Sequence, residues 1–174
     1  RGAEINTQNK NGFTALMLAA QNGHGVVVNA LLDRGAEINT QKKDGFTALM
    51  LAAQNGHGAV VKVLLKRRAR SERGEGITAL ANVNAQNHQG ITALMLAAER
   101  GHFEVVETLW FMGAKVDIQD DKGRPALWYA LKAEKLEVVN LLLQYDTPDA
   151  LLQNNYDSDD SNPPPDQPNG PWVQ

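Results

Sequence analysis

The chain contains no cysteine, which excludes a disulfide framework, a thiolate metal site and a cysteine nucleophile. Aromatic residues are scarce, 6% against 43% hydrophobic residues in all, so any core must be aliphatic, built largely from Ala, Val and Leu. No run approaches the roughly 18 apolar residues that a membrane span needs. A strong charge excess is missing too, because the formal net charge of −3 over 174 residues marks neither a nucleic-acid binder nor an acidic tail protein. The distribution is more informative than the total. All 17 Lys and Arg lie at or before Lys135, while the segment from Asp146 onward holds six of the 20 acids. The first part therefore carries +3 and the tail −6. No Gly-rich phosphate loop follows a strand, and no Ser/His/Asp set can be argued from spacing. Catalysis is not expected.

What the chain does have is repetition. Asn6 to Gly35 reads NTQNKNGFTALMLAAQNGHGVVVNALLDRG, and Asn39 to Arg68 reads NTQKKDGFTALMLAAQNGHGAVVKVLLKRR; 23 of the 30 positions match at a shift of 33. A third copy starts at Asn84 and a degenerate fourth near Asp117. Their glycines Gly12, Gly45, Gly90 and Gly123 are spaced 33, 45 and 33 apart. Arg1 to Ile5 repeats Arg34 to Ile38, so the chain is expected to open inside the end of an earlier copy and to come from a longer protein.

Each unit has a physical reading. Gly12 sits where a tight turn needs positive φ. Thr14 precedes an apolar run as a good helix N-cap, after which Leu16, Ala19 and Ala20 share one helical face. Gly23 ends that helix in the left-handed C′ position. A second helix follows with Val27, Val28, Leu31 and Leu32 inward and is stopped by Gly35. Helices of two to three turns are unstable alone in water; they bury their apolar faces by stacking on copies of themselves. The fold class predicted is an all-α repeat solenoid.

Gly12, Thr14, Leu16, Ala19, Ala20, Gly23 and His24, with their equivalents in the second and third copies, resemble the ankyrin repeat and its G-x-T-P-L-H-x-A-A-x-x-G-H core. The resemblance implies stacked units of β-hairpin or turn, helix, turn and helix over residues 1–145. Repeats are placed near 6–38, 39–68, 84–116 and 117–145 after a leading fragment 1–5. The chain departs from the family where Ala15, Ala48 and Ala93 replace its Pro, and Met17, Met50 and Met95 its His. The usual Thr–His hydrogen bonding is then lost, and weaker pinning of each turn is expected.

The resemblance also implies a partner-binding surface on the concave side, made of hairpin tips and the exposed face of each first helix. Position by position this gives Lys10, Asn11, Phe13, Gln21 and Asn22, then Lys43, Asp44, Phe46, Gln54 and Asn55. The third copy gives His88, Gln89, Ile91, Glu99 and Arg100, and the fourth Asp121, Lys122, Arg124, Lys132 and Ala133. Phe13, Phe46 and Ile91 stand out as an apolar stripe with a charged rim, the anatomy of a protein interface. The competing reading is that they pack against neighbouring hairpins and only bridge repeats.

His24, His57 and His102 recur one repeat apart, whereas metal ligands must converge on one ion at about 2 Å; they are read as turn residues, and no metal or cofactor is expected. The 12 extra residues between copies two and three fall in Arg68 to Leu80. Lys66, Arg67, Arg68, Arg70 and Arg73 form a basic cluster there, read as a surface loop with nuclear import or anion binding as the alternative. In the fourth copy Pro125, Trp128, Tyr129, Glu134 and Lys135 replace repeat residues, as a terminal cap would. A short capping helix is expected at 146–153, and the acidic, Pro-rich stretch 154–174 is expected to be disordered.

The function that follows is non-catalytic protein recognition, by an adaptor, scaffold or targeting domain that binds another protein as a monomer. An intracellular setting is expected, cytoplasmic or nuclear, with no membrane partner. Two alternatives belong to other classes. One is a ligand-sensing regulatory domain of a multidomain enzyme, as some family members sense a nucleotide; the other is nucleic-acid binding through the basic insert.

Overall fold

The computed structural model describes residues 4–66 and 80–145. The expectations for the leading Arg1 to Ala3, for Arg67 through Thr78 and Ala79, and for 146–174 lie outside the described residues. Among the described residues there are eight helices and no strand: α1 (Ala15–Gln21), α2 (Gly25–Asp33), α3 (Ala48–Gln54), α4 (Gly58–Lys66), α5 (Ala93–Arg100), α6 (Phe103–Phe111), α7 (Ala126–Lys132) and α8 (Leu136–Tyr145). Helices α1, α3, α5 and α7 pack in that order in one row, and α2, α4, α6 and α8 in a second. Each unit's two helices pack on each other, so the molecule is two parallel rows of short helices sharing one aliphatic core.

The first helix of each of three units begins identically. Thr14, Thr47 and Thr92 are buried, and each Oγ1 accepts from the N–H three residues on, that of Met17, Met50 or Met95, at 3.2–3.3 Å. The cap is thus made without the family's His. The methionine fills the space as core, and in the third unit its sulfur also faces the Thr92 N–H at 3.4 Å. Such a cap is worth about 1 kcal/mol.

The other end closes through a Schellman turn. His24 N–H donates to the Ala19 carbonyl at 2.9 Å and Gly23 N–H to Ala20 at 3.3 Å, with Gly23 at φ +73. The glycine is required for a second reason. A Cβ on Gly23 would lie 2.7 Å from the His57 ring, and one on Gly56 2.7 Å from His102. Each of those rings reaches back one unit: His57 Nε2 donates to the Gln21 carbonyl at 2.9 Å, and His102 Nε2 to Gln54 at 3.1 Å. The recurring Gly-His pair therefore joins neighbouring units, and its role is wider than supporting a turn within one.

The fourth unit keeps the same closure with different residues. Lys135 lays its aliphatic chain over Gly101, where a His ring would lie. Glu134 occupies the glycine position and is the sole positive-φ non-glycine among the described residues, at φ 56.

The expected inward residues of the second helices are buried where a unit has neighbours on both sides: Val60, Val61, Leu64 and Leu65. In the first unit Val28 is buried but Val27 is 47% exposed, alongside Val26 at 85% and Leu18 at 44%. Equivalents of Val27 and Leu18 in later units are covered by the preceding unit.

The chain rejoins the stack in register beyond the longer spacing. Ala81 N–H donates to the Leu64 carbonyl at 3.1 Å, as Ala36 does to Leu31 and Ala114 to Leu109. Asn39 receives the Asn82 N–H at 2.8 Å and donates to the Leu80 carbonyl at 3.1 Å. Asn6 makes the same pair with Glu37 and Gly35, and Asn84 with Lys115 and Gly113.

Candidate functional site

The turns that lead into α1, α3, α5 and α7 form a continuous edge. Within each, the backbone closes on itself, as from Asn9 N–H to the Phe13 carbonyl and from Asn87 N–H to Ile91. Between them, Lys43 N–H donates to Asn11, His88 N–H to Asp44 and Asp121 N–H to Gln89, at 3.1–3.5 Å. Glutamines brace the same row. Gln8 Nε2 donates to the carbonyls of Gly12 and Gln41, Gln41 Nε2 to Gln86, and Gln86 Nε2 to Gly90 and Gln119. The sequence reading missed this ladder, although the signal was present as a glutamine at the same place in every copy.

Three tips share an Asx turn. Oδ1 of Asn9, Asn87 and Asp120 each accepts two backbone N–H groups at 2.9–3.0 Å. The second copy has Lys42 there, which has no acceptor to offer. Asp44 substitutes by accepting the Phe46 N–H at 3.4 Å and pairing with Lys42. Burial raises the Asp44 carboxyl, but Lys42 and that N–H outweigh it and leave it below the ordinary value.

Lys42 Nζ also lies 5.2 Å from the Phe13 ring centre and 4.7 Å from that of Phe46. Both rings are half-buried and pack against the core, as does Ile91. Rings and ammonium make one stack across two units, so the apolar stripe is partly spent on joining them.

The fourth copy carries the densest polar cluster. Buried Asp120 accepts from Arg124 Nε at 2.8 Å and from the Tyr129 hydroxyl at 2.6 Å. The Arg124 guanidinium holds its carboxyl far below the usual carboxylate range, while burial and that carboxylate push Tyr129 up to about 12. Arg124 lies 4.4 Å from the Trp128 ring centre and Lys132 Nζ 5.1 Å from it. Composition alone could not have singled out this group, because its members are spread over positions 120–132.

The remaining candidates line the same edge and the adjoining helix face. Lys10, Asn11, Lys43, His88, Gln89, Asp121 and Lys122 are exposed at the tips. Asn22 and Asn55 turn their amides back to the Leu18 and Leu51 carbonyls, and both are exposed. Gln21 and Gln54 are half-buried, with their carbonyls taken by the histidines of the next unit. Glu99 and Ala133 are partly buried, and Arg100 and Lys132 exposed.

Charge is unevenly divided. On the tips and first helices Lys10, Lys42, Lys43, Arg100, Lys122, Arg124 and Lys132 face Asp44, Glu99, Asp120 and Asp121, a balance of +3; the other described residues sum to −3. Among the described residues no three His, Asp or Glu come together as metal ligands, and no helix is long and apolar enough to cross a membrane. Comparison with curated proteins finds no match. A family model described as ankyrin repeats in three copies matches residues 1–75 and 69–154. With its paired helices, inter-unit Gly-His contacts and laddered tips, the chain belongs to the ankyrin-repeat family.

Proposed function

We propose that this chain is a non-catalytic recognition module that holds another protein against its hairpin tips and first-helix face. Ankyrin repeats are in general protein-interaction modules, and one observation carries the reading here. The side chains that leave the tip edge outward, Lys10, Lys43, His88 and Lys122, are exposed on a backbone fixed by hydrogen bonds from unit to unit. A row so braced loses little conformational freedom on binding, which favours affinity. Arg100 and Lys132 extend it along the helices.

The test compares two pairs of charge reversals. Lys43→Glu with Arg100→Glu lies on the proposed face; Lys62→Glu with Lys115→Glu lies off it. Partners captured by the unaltered chain should be lost by more than about tenfold with the first pair, the effect of about 1.4 kcal/mol, and kept with the second. Loss with the second pair alone would move the surface elsewhere.

A further inference from the structure

We infer that the chain's own acidic segment, residues 146–174, occupies the tip and first-helix face, so that a partner must displace it. The inference rests on the proposed binding face. Two independent facts meet in it. That face carries +3 while the other described residues sum to −3. The segment following α8 carries six aspartates and no Lys or Arg.

Its complementary target is therefore one face of the array and not the array at large. Lys122 and Lys132 in the last unit, with Arg100 in the third, are the exposed cations of that face nearest in sequence to where the segment starts. The tips of Lys10 and Lys43 continue the same sign along the row.

Reach is ample. The segment has 29 residues, and a chain of that length spans about 95 Å when extended and about 30 Å as a relaxed coil. Packed helices lie about 8–10 Å apart, so α7 and α5 are within range of its middle. Single exposed ion pairs are weak, but tethering supplies a local concentration of order millimolar. Weak pairs then suffice for occupancy, and the contact must fade as salt screens it.

The absence of cysteine makes the test clean. Asn169→Cys in the full chain gives one site for a spin label, and loss of amide peak intensity reports what the segment visits. Intensity should be lost at Lys43, His88, Lys122 and along α7, and spared around Lys62 and Lys115. It should return in about 0.5 M salt, where the Debye length is about 4 Å. Replacing Asp157, Asp159, Asp160 and Asp166 by Asn should restore it as well. Loss that is absent, equal around Lys62 and Lys115, or unchanged by salt overturns the inference. Partner capture by this four-Asn variant separates the inference from the binding face itself. If the face is correct, capture rises when the segment is neutralised. If the face is wrong, the label still reports the segment while capture stays constant.

Discussion

Glycines at different places in the unit are held by different forces, and substitution separates them. Gly35 has φ +85 and no atom within 4 Å of where a Cβ would lie, whereas a Cβ on Gly45 would meet His88 N at 2.7 Å and Asn87 Cα at 2.9 Å. Gly35→Ala should cost only the left-handed backbone, about 1 kcal/mol. Gly45→Ala adds a clash with neighbouring backbone that cannot rotate away, and should cost about 3 kcal/mol or more. Urea denaturation of both variants checks this; equal losses would show that the hairpins do not approach as closely as described. The sequence reading found the positive φ but not the second constraint, because a close approach belongs to two units at once and no single copy displays it.

Asp120 gives a pH signature at the same scale. Its folded carboxyl is held below the ordinary value of 3.8, chiefly by Arg124. A carboxyl depressed on folding adds stability that is complete above its unfolded value and fades as pH falls through the folded one. Asp120→Asn should therefore cost about 1 kcal/mol at pH 7, a figure reduced because Arg124 is partly exposed. The difference from the unaltered chain should shrink below about pH 4. Melting temperatures at pH 7 and pH 3 measure it, and a gap that persists in acid would assign the loss to packing.

At the scale of elements, the extended spacing between α4 and the third unit is a test of independence. Asn39 bridges to Leu80 and Asn82 as Asn6 bridges to Gly35 and Glu37. Removing Arg68 to Leu80 with a Gly at the junction should therefore let the same bridge form. Loop length alone changes closure entropy by about 0.6 kcal/mol per doubling. The shortened chain should melt within a few degrees of the original. A marked drop would mean that the removed residues pack on the stack. Helix order and boundaries were legible from the 33-residue period, because Thr14, Gly23 and Gly35 fix starts and stops locally. The inter-unit contacts of His57, His102 and the glutamines were not, since each depends on the spacing between units. The same is true of Phe13 and Phe46: their chemistry suggested an outward stripe, but their depth depends on Lys42 lying between them.

For the molecule as a whole, the two ends differ in what they leave uncovered. The first unit exposes Leu18 and Val27 on the side away from the second unit, positions that are buried in the later units. The last unit has Leu131, 54% exposed, where the other units have the fully buried Ala20, Ala53 and Ala98. It also has Glu134 at the glycine position, where a Cβ would meet the His of a following unit of the usual kind. Stability in such arrays is roughly a sum of unit and interface terms. Hydrogen exchange should therefore show Asn6 to Leu32 opening at lower free energy than Ala126 to Leu143. Equal or greater protection at the first unit would mean that another surface covers its apolar side.

The identity of α1 and α3, ALMLAAQ in both, has a consequence for how the chain finds its fold. Helix α5 presents a surface that either heptad can fill equally well. Asn6 and Gln8 likewise carry the same donors and acceptors as Asn39 and Gln41. A refolding chain that seats the first copy directly on the third, with the second looped out, keeps almost every local contact. Closing the longer loop costs under about 1 kcal/mol. What that arrangement lacks is one whole interface, the packing of α3 on α4 and the Lys42 stack. The native order is thus selected by completeness and not by recognition between individual helices, and a register-shifted trap is written into the repetition that builds the array.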